Sequence, residues 1–254
     1  MAQQPVPLEV SSYMSANPIT VKPTIPFFDA VTLMYKNGIG NLVVKENNEH
    51  IGLISERQIL HYLIKENLIS NKPMSHIATA LFTKISPHTS ILDAAKIRFK
   101  KKRKLLVFDN NKLVGIITTS DMLRGLCNLS TNPSLKHVLI PRLYTCSYDD
   151  TLFDQVKLMH EKRIGSVIVL KDGKPYGIFT ERDLICNLLA IEADMHEKVG
   201  RYCSYPLITA KIGIKFNEAA TLMTDKKIKR LPLTKDGKIT SIVCACDLLR
   251  AFQT

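Results

Sequence analysis

Apolar and polar positions follow one order four times along this chain: a short extended run, an amphipathic helix, two apolar strands around a polar turn, and a closing helix. In the first copy an extended run at residues 17–21 precedes a turn at Pro23 and Pro26. From Asp29, Ala30, Leu33 and Met34 fall on one face at helical spacing, and Asn37-Gly38 supplies the stop. Strands at 41–44 and 51–54 follow, then a helix carrying Ile59, Leu60, Leu63 and Ile64. The second copy predicts a helix from Ser90, strands at 105–108 and 113–117, and a helix from about Thr119. The third predicts a helix over 151–162, a hairpin turning at Asp172-Gly173, and a helix over 181–190. The fourth predicts a helix over 194–203, a strand at 206–209, a helix over 216–227, a hairpin turning at Asp236-Gly237, and a last helix. Residues 129–134, Leu-Ser-Thr-Asn-Pro-Ser, read as the linker between halves.

Each copy closes on the same phrase: Gly52-Leu-Ile-Ser-Glu-Arg-Gln, Gly115-Ile-Ile-Thr-Thr-Ser-Asp, Gly177-Ile-Phe-Thr-Glu-Arg-Asp and Ser241-Ile-Val-Cys-Ala-Cys-Asp. Successive copies start 63, 62 and 64 residues apart. So regular a period predicts a repeat architecture, with units of about 60 residues that stabilise one another by pairing. At the turn, Thr or Ser is placed to cap the helix, and Asp in the first turn suits the helix dipole. The same carboxylate could accept hydrogen bonds from a ribose, each charge-assisted bond contributing roughly 1.5–3 kcal/mol. Both readings stand at this level.

Composition narrows the class. Hydrophobic content of 45% and charged content of 23% are those of a globular protein, and no apolar run reaches the ~18 residues of a membrane span. No signal-peptide pattern is present at the start, so the expected compartment is cytoplasmic. A net charge of +12 favours an acidic ligand or partner without choosing one. Six cysteines show neither zinc spacing nor Cys-x-x-Cys, and read as small core hydrophobes; Cys244-x-Cys246 is the one close pair. Seven histidines are scattered, and no nucleophile-elbow, phosphate-loop or zinc-protease motif occurs, so the protein is expected not to be an enzyme, with no catalytic residues and no metal.

The phrase, the element order and the period together resemble the cystathionine-β-synthase (CBS) domain. The resemblance implies an α/β (α+β) fold with repeats at 8–67, 74–128, 136–192 and 194–254. It implies that consecutive repeats pair into two Bateman modules, 1–130 and 136–254, arranged as a flat disc, and that the chain is a monomer or homodimer. Four such repeats in one chain resemble the γ subunit of AMP-activated protein kinase and stand-alone microbial CBS proteins. The implied ligand is an adenine nucleotide (AMP, ADP or ATP), or a relative such as S-adenosylmethionine; it acts as a regulatory ligand, with no cofactor required.

Carried onto this chain, the third turn is the most complete site: Thr180, Arg182 and Asp183, with Lys162 and Arg163 before its strand. Ile208, Thr209, Ile228, Lys229 and Arg230 would hold the base. The second offers Thr118, Ser120 and Asp121 with Lys101 and Arg103, facing Ile19, Thr20, Ile39, Gly40 and Asn41. The fourth keeps Asp247, with Lys226 and Lys227 for phosphate, but has Cys244 and Ser241 in place of the hydroxyl residue and glycine. The first has Ser55 but Gln58 instead of aspartate, so its site is expected to be empty or altered.

The resulting expectation is a regulatory sensor that passes ligand state to an unknown target protein by reorienting paired repeats. The rival is a basic scaffold for nucleic acid or an acidic protein. The run at residues 100–104 reads three ways: a solvated helix end, a phosphate lip beside Asp121, or part of a nucleic-acid footprint. Without tryptophan or interleaved aromatics, the nucleic-acid reading is the weaker.

Overall fold

The computed structural model describes residues 8–47, 49–65, 72–76, 81–127, 132–138, 143–188 and 194–252. After a short strand β1 (Ser15–Ala16), the first repeat runs β2 (Thr20–Val21), α1 (Phe27–Lys36), β3 (Asn41–Glu46), β4 (Glu49–Ser55) and α2 (Glu56–Lys65). The second runs β5 (Phe82–Ile85), α3 (Ile91–Lys101), β6 (Lys104–Asp109), β7 (Lys112–Ile117) and α4 (Thr119–Leu126). The third is β8 (Thr145–Ser147), α5 (Leu152–Glu161), β9 (Ser166–Lys171), β10 (Lys174–Thr180) and α6 (Glu181–Leu188). The fourth is β11 (Ala210–Lys211), α7 (Phe216–Asp225), β12 (Arg230–Lys235), β13 (Lys238–Cys244) and α8 (Ala245–Arg250). In every repeat the first strand pairs parallel to the second, and the second antiparallel to the third. The parallel step is what the intervening helix allows, since a tight turn can only reverse a strand.

Local chemistry accounts for the element ends. Ser90 and Thr151 cap α3 and α5 by accepting from Asp93 N and Asp154 N. The four opening helices end through a left-handed residue: Gly38 in the first repeat, and Lys102, Arg163 and Lys227 in the others. Two expected elements differ. Residues 194–203 contain only a single 3-10 turn, Val199–Arg201, and 206–209 are not a strand; the pairing strand is Ala210–Lys211. Lys198 and Ser204 on either side are tied by isolated bridges to Thr151 and Ile178, so this stretch is held as a crossing segment instead of a helix. The linker expected at 129–134 lies partly outside the described residues.

The chain divides into two compact units. One comprises Met1–Pro18, Leu81–Arg142 and Thr209–Thr254; the other comprises Ile19–Ala80 and Leu143–Ile208. Compactness thus groups alternate repeats, second with fourth and first with third. The physical reason lies in the helices. In one unit α4 packs on α7 and α8; in the other α2 packs on α5 and α6. The core of the latter is continuous across both repeats, from Phe27, Met34, Ile59 and Leu63 to Val156, Met159, Phe179 and Leu184. Phe27 stacks on Tyr62 within it at 4.5 Å between centroids.

The motif glycines have a packing cause. A Cβ on Gly177 would stand 2.7 Å from both the Cys203 sulfur and the Ser204 carbonyl oxygen, and one on Gly115 would stand 2.3 Å from Met14 Sδ. A crossing segment runs over each strand there: β1 pairs with β7 at Gly115, and Ser204 bridges Ile178. In the fourth repeat Ser241 takes the place, buried, its hydroxyl without a partner among the described residues.

Candidate ligand sites at the strand–helix turns

All four turns are built alike. The residue that ends the strand or directly follows it donates to the side chain three residues further on, and in the second and third turns the bonding is reciprocal, a capping-box arrangement that satisfies amides left free at the helix start. In the third repeat Thr180 donates to Asp183 Oδ2 twice, from its N–H at 2.8 Å and its hydroxyl at 2.6 Å, and Asp183 N returns a bond to Thr180 Oγ1 at 3.2 Å. In the second, Thr118 N and Oγ1 donate to Asp121 Oδ2 at 2.9 and 2.7 Å. In the fourth, Cys244 N and Sγ donate to Asp247 Oδ2 at 3.0 and 2.6 Å. In the first, Ser55 N donates to Gln58 Oε1 at 3.0 Å and the Ser55 hydroxyl bonds the same oxygen. Gln58 therefore preserves the turn while supplying no charge.

Cap duty consumes one carboxylate oxygen, so the other decides what each turn can hold. Asp183 Oδ1 accepts from the Ser204 hydroxyl at 2.6 Å. Asp121 Oδ1 lies 3.3 Å from Arg124, which also donates to the Tyr13 carbonyl. Asp247 Oδ1 lies 3.4 Å from Arg250, whose guanidinium sits 5.6 Å over the Phe99 ring. A carboxylate has about four acceptor positions. Three at Asp183 are taken, leaving one for a ligand hydroxyl, or two if Ser204 turns away. Burial pushes the Asp183 carboxyl above the usual aspartate range, with the bonds from Ser204 and Thr180 pulling the other way. Asp121 and Asp247 are 8% and 2% exposed, so their charge is held almost out of water.

The remaining predicted residues divide by unit. With Asp183 stand Thr180, Arg182, Lys162, Arg163 and Ile208, as well as Ile19, Thr20, Ile39, Gly40 and Asn41. With Asp121 and Asp247 stand Thr118, Ser120, Lys101, Arg103, Thr209, Lys227, Ile228, Lys229 and Arg230. Arg182 donates to the Gly38 carbonyl at 2.7 Å and lies 3.7 Å from Glu56. The reciprocal pair, Arg57 with Glu181 at 3.0 Å, joins the same two turns. Lys101, Arg103, Lys162, Arg163 and Lys227 are exposed around helix ends. Within the run at 100–104, Lys100 and Lys101 close α3, Lys102 is its left-handed cap and Lys104 opens β6, an arrangement that suits the helix-end reading.

The Gly40 and Lys229 carbonyls accept the first amides of α2 and α8, from Glu56 and Ala245. Arg230 Nη1 donates to the Lys229 carbonyl at 3.2 Å. Asn41 Oδ1 is buried and has no hydrogen-bond donor among the described residues, an open acceptor beside the first turn. Ser204 is the residue the sequence reading missed. Its signal was Gly177, since a strand glycine marks a close backbone approach, but nothing in the sequence said which segment approaches.

Among the described residues no helix is long and apolar enough to cross a membrane, and no group of three or more metal-ligating side chains gathers.

Comparison with known proteins bears on the four repeats and their fold. The family model described as the CBS domain matches four times, at residues 10–65, 75–128, 135–190 and 199–254. Protein MJ1404 of Methanocaldococcus jannaschii is 25% identical over 264 residues, covering 95% of this chain and 61% of that protein. Protein MK0525 of Methanopyrus kandleri is 38% identical over 42% of this chain and 56% of its own length. The chain thus spans less than two thirds of these relatives. Among solved structures, MJ1225 of Methanocaldococcus jannaschii, described as a candidate archaeal homologue of g-AMPK, superposes with a TM-score of 0.81 at 22% identity, covering 96% of this chain and 99% of that one. A conserved protein from Pyrococcus horikoshii superposes with a TM-score of 0.66 at 18% identity, covering 96% and 99%.

Proposed function

The chain belongs to the CBS domain family, and on that premise we propose that it is a regulatory protein that binds an adenine nucleotide (AMP, ADP or ATP) through its turn aspartates and passes the bound state to a target protein. One observation carries the reading. Three of four turns keep a carboxylate, buried at Asp121 and Asp247 and partly buried at Asp183, whose cap uses only one oxygen, although the Gln58 turn shows that a neutral side chain makes the same cap. A charge withheld from water and not needed for the turn is suited to an external donor, and ribose hydroxyls are donors of the right reach. The open acceptor of Asn41 is in keeping with a ligand that carries hydroxyl or amino groups. MJ1225, which shares the fold, is described as a candidate homologue of g-AMPK, and this fits the same class.

Signalling follows from linkage: a ligand that binds one arrangement of the repeats better shifts the population toward it, by no more than its differential affinity. The test is a calorimetric titration with AMP, ADP, ATP and S-adenosylmethionine, on the parent and on Asp121→Ala and Asp183→Ala. Saturable binding of at least one nucleotide is expected, weakened by about tenfold or more when its aspartate is removed. No heat from any of the four at millimolar concentration would overturn the proposal. A salt-sensitive attachment to nucleic acid in its place would support the scaffold reading.

A further inference from the structure

The fourth turn departs from the others at several residues, and two of them are cysteines. Cys244 occupies the position of Ser55, Thr118 and Thr180, and its thiol makes the cap bond to Asp247 at 2.6 Å. Cys246 occupies the position of Arg57, Ser120 and Arg182. Both are half-buried, and all six cysteines are free. Cys246 Sγ lies 3.6 Å from the Thr119 hydroxyl in the same compact unit. The single Cys244 proton has two acceptors to serve, the Asp247 carboxylate and the Cys246 sulfur.

The surroundings set these two thiols apart. A hydrogen bond from Cys244 pulls Cys246 below the ordinary thiol range, helped by the Thr119 hydroxyl and by the cations Arg98 and Arg230. Cys244 is pushed up, first by that same bond and then by burial and Asp247. Cys127, Cys146, Cys186 and Cys203 are all pushed up by burial. A thiolate is the reactive form of cysteine; Cys244 is held as a donor to the Asp247 carboxylate, so Cys246, beside the Thr119 hydroxyl, is the one set to react and its neighbour two residues away is set to resolve. Two Cα atoms that far apart in sequence lie about 5–7 Å apart, the span of a disulfide.

We propose that Cys246 and Cys244 form a peroxide-reactive modification site, with Cys246 as the attacking thiolate and Cys244 as the resolving thiol. The sulfur of Cys246 attacks one oxygen of hydrogen peroxide; the O–O bond breaks, hydroxide leaves, and Cys246 becomes a sulfenic acid. Cys244 sulfur then attacks that sulfur, forming the S–S bond; the S–O bond breaks, and the Cys244 proton leaves with the hydroxyl as water. The peroxide is the oxidant for both electrons. Asp247 Oδ2 loses its thiol donor in the process, so the product alters the cap at this turn.

The test is brief exposure of the full chain to hydrogen peroxide, then alkylation and tryptic mass spectrometry. Cleavage after Lys238 and Arg250 isolates both cysteines on one peptide, residues 239–250. The expected result is a peptide lighter by two hydrogens, unalkylated and restored by dithiothreitol. It should form at least about tenfold faster than any of the other four cysteines reacts. Cys244→Ser, which restores the hydroxyl of the other turns, should leave Cys246 as a sulfenic acid captured by dimedone. Cys246→Ser should leave Cys244 open to alkylation. The proposal is overturned if peptide 239–250 stays doubly alkylated while the other cysteines oxidise, or if Cys246→Ser leaves the oxidation rate of Cys244 unchanged.

Discussion

Asp183 does two things that pull in opposite directions. Its cap bonds favour the ionised form, and its burial disfavours it more. A carboxyl whose folded pKa is raised binds protons more readily in the native state than in the unfolded one. Its contribution to stability is therefore most favourable in acid and is lost as pH rises through the folded pKa. Asp183→Asn, which keeps shape and an acceptor oxygen, should unfold no earlier than the parent at neutral pH, and the comparison should turn against the variant toward acid; thermal unfolding across pH 4–8 reads this. Ligand affinity should behave the other way. Ribose hydroxyls need the carboxylate, so binding at this turn should fade on acidification at a pH above that expected of an ordinary aspartate, near 3.9. The Thr–Asp pairing was legible in the sequence because a cap and its partner are three residues apart. The Ser204 bond was not, because it joins residues 21 apart through a segment with no periodic pattern.

At the level of elements, the repeat order and the hairpins were legible because period 2 and period 3.6 patterns are local properties of burial. Residues 194–203 misled because several apolar positions there mimic a helical face, while the backbone is tied at both ends to the third repeat. The same tie explains the motif glycine. Gly177→Ala would press a methyl group against the Ser204 backbone and the Cys203 sulfur, and should cost about 1–3 kcal/mol in urea unfolding. A cost near zero would mean that the crossing segment does not hold its place. The cross-repeat pairs Arg182–Glu56 and Arg57–Glu181 were invisible to any local reading. They are partly exposed and contribute little by charge alone; the Arg182 bond to the Gly38 carbonyl is the stronger link.

For the whole molecule, the repeat count was legible, but the packing of helices between alternate repeats was not. The helix faces of the first repeat are covered by the third, and those of the second by the fourth, contacts between residues too far apart in the chain for any local pattern to reveal. A fragment of residues 1–130 would expose the apolar faces of α2 and α4. It is expected to self-associate, with light scattering giving a mass at least twice its own; a stable monomer would contradict the continuous core.

The measurement that bears most directly on the sensor account is the stoichiometry of nucleotide binding. Calorimetry on the parent, on Asp121→Asn, Asp183→Asn and Asp247→Asn singly, and on the triple variant would supply it. The account predicts that the parent binds AMP, ADP or ATP at one to three sites, that at least one single change removes a site, and that the triple variant remains folded and binds none. Undiminished binding by the triple variant would contradict it, because the nucleotide would then be held by something other than these carboxylates.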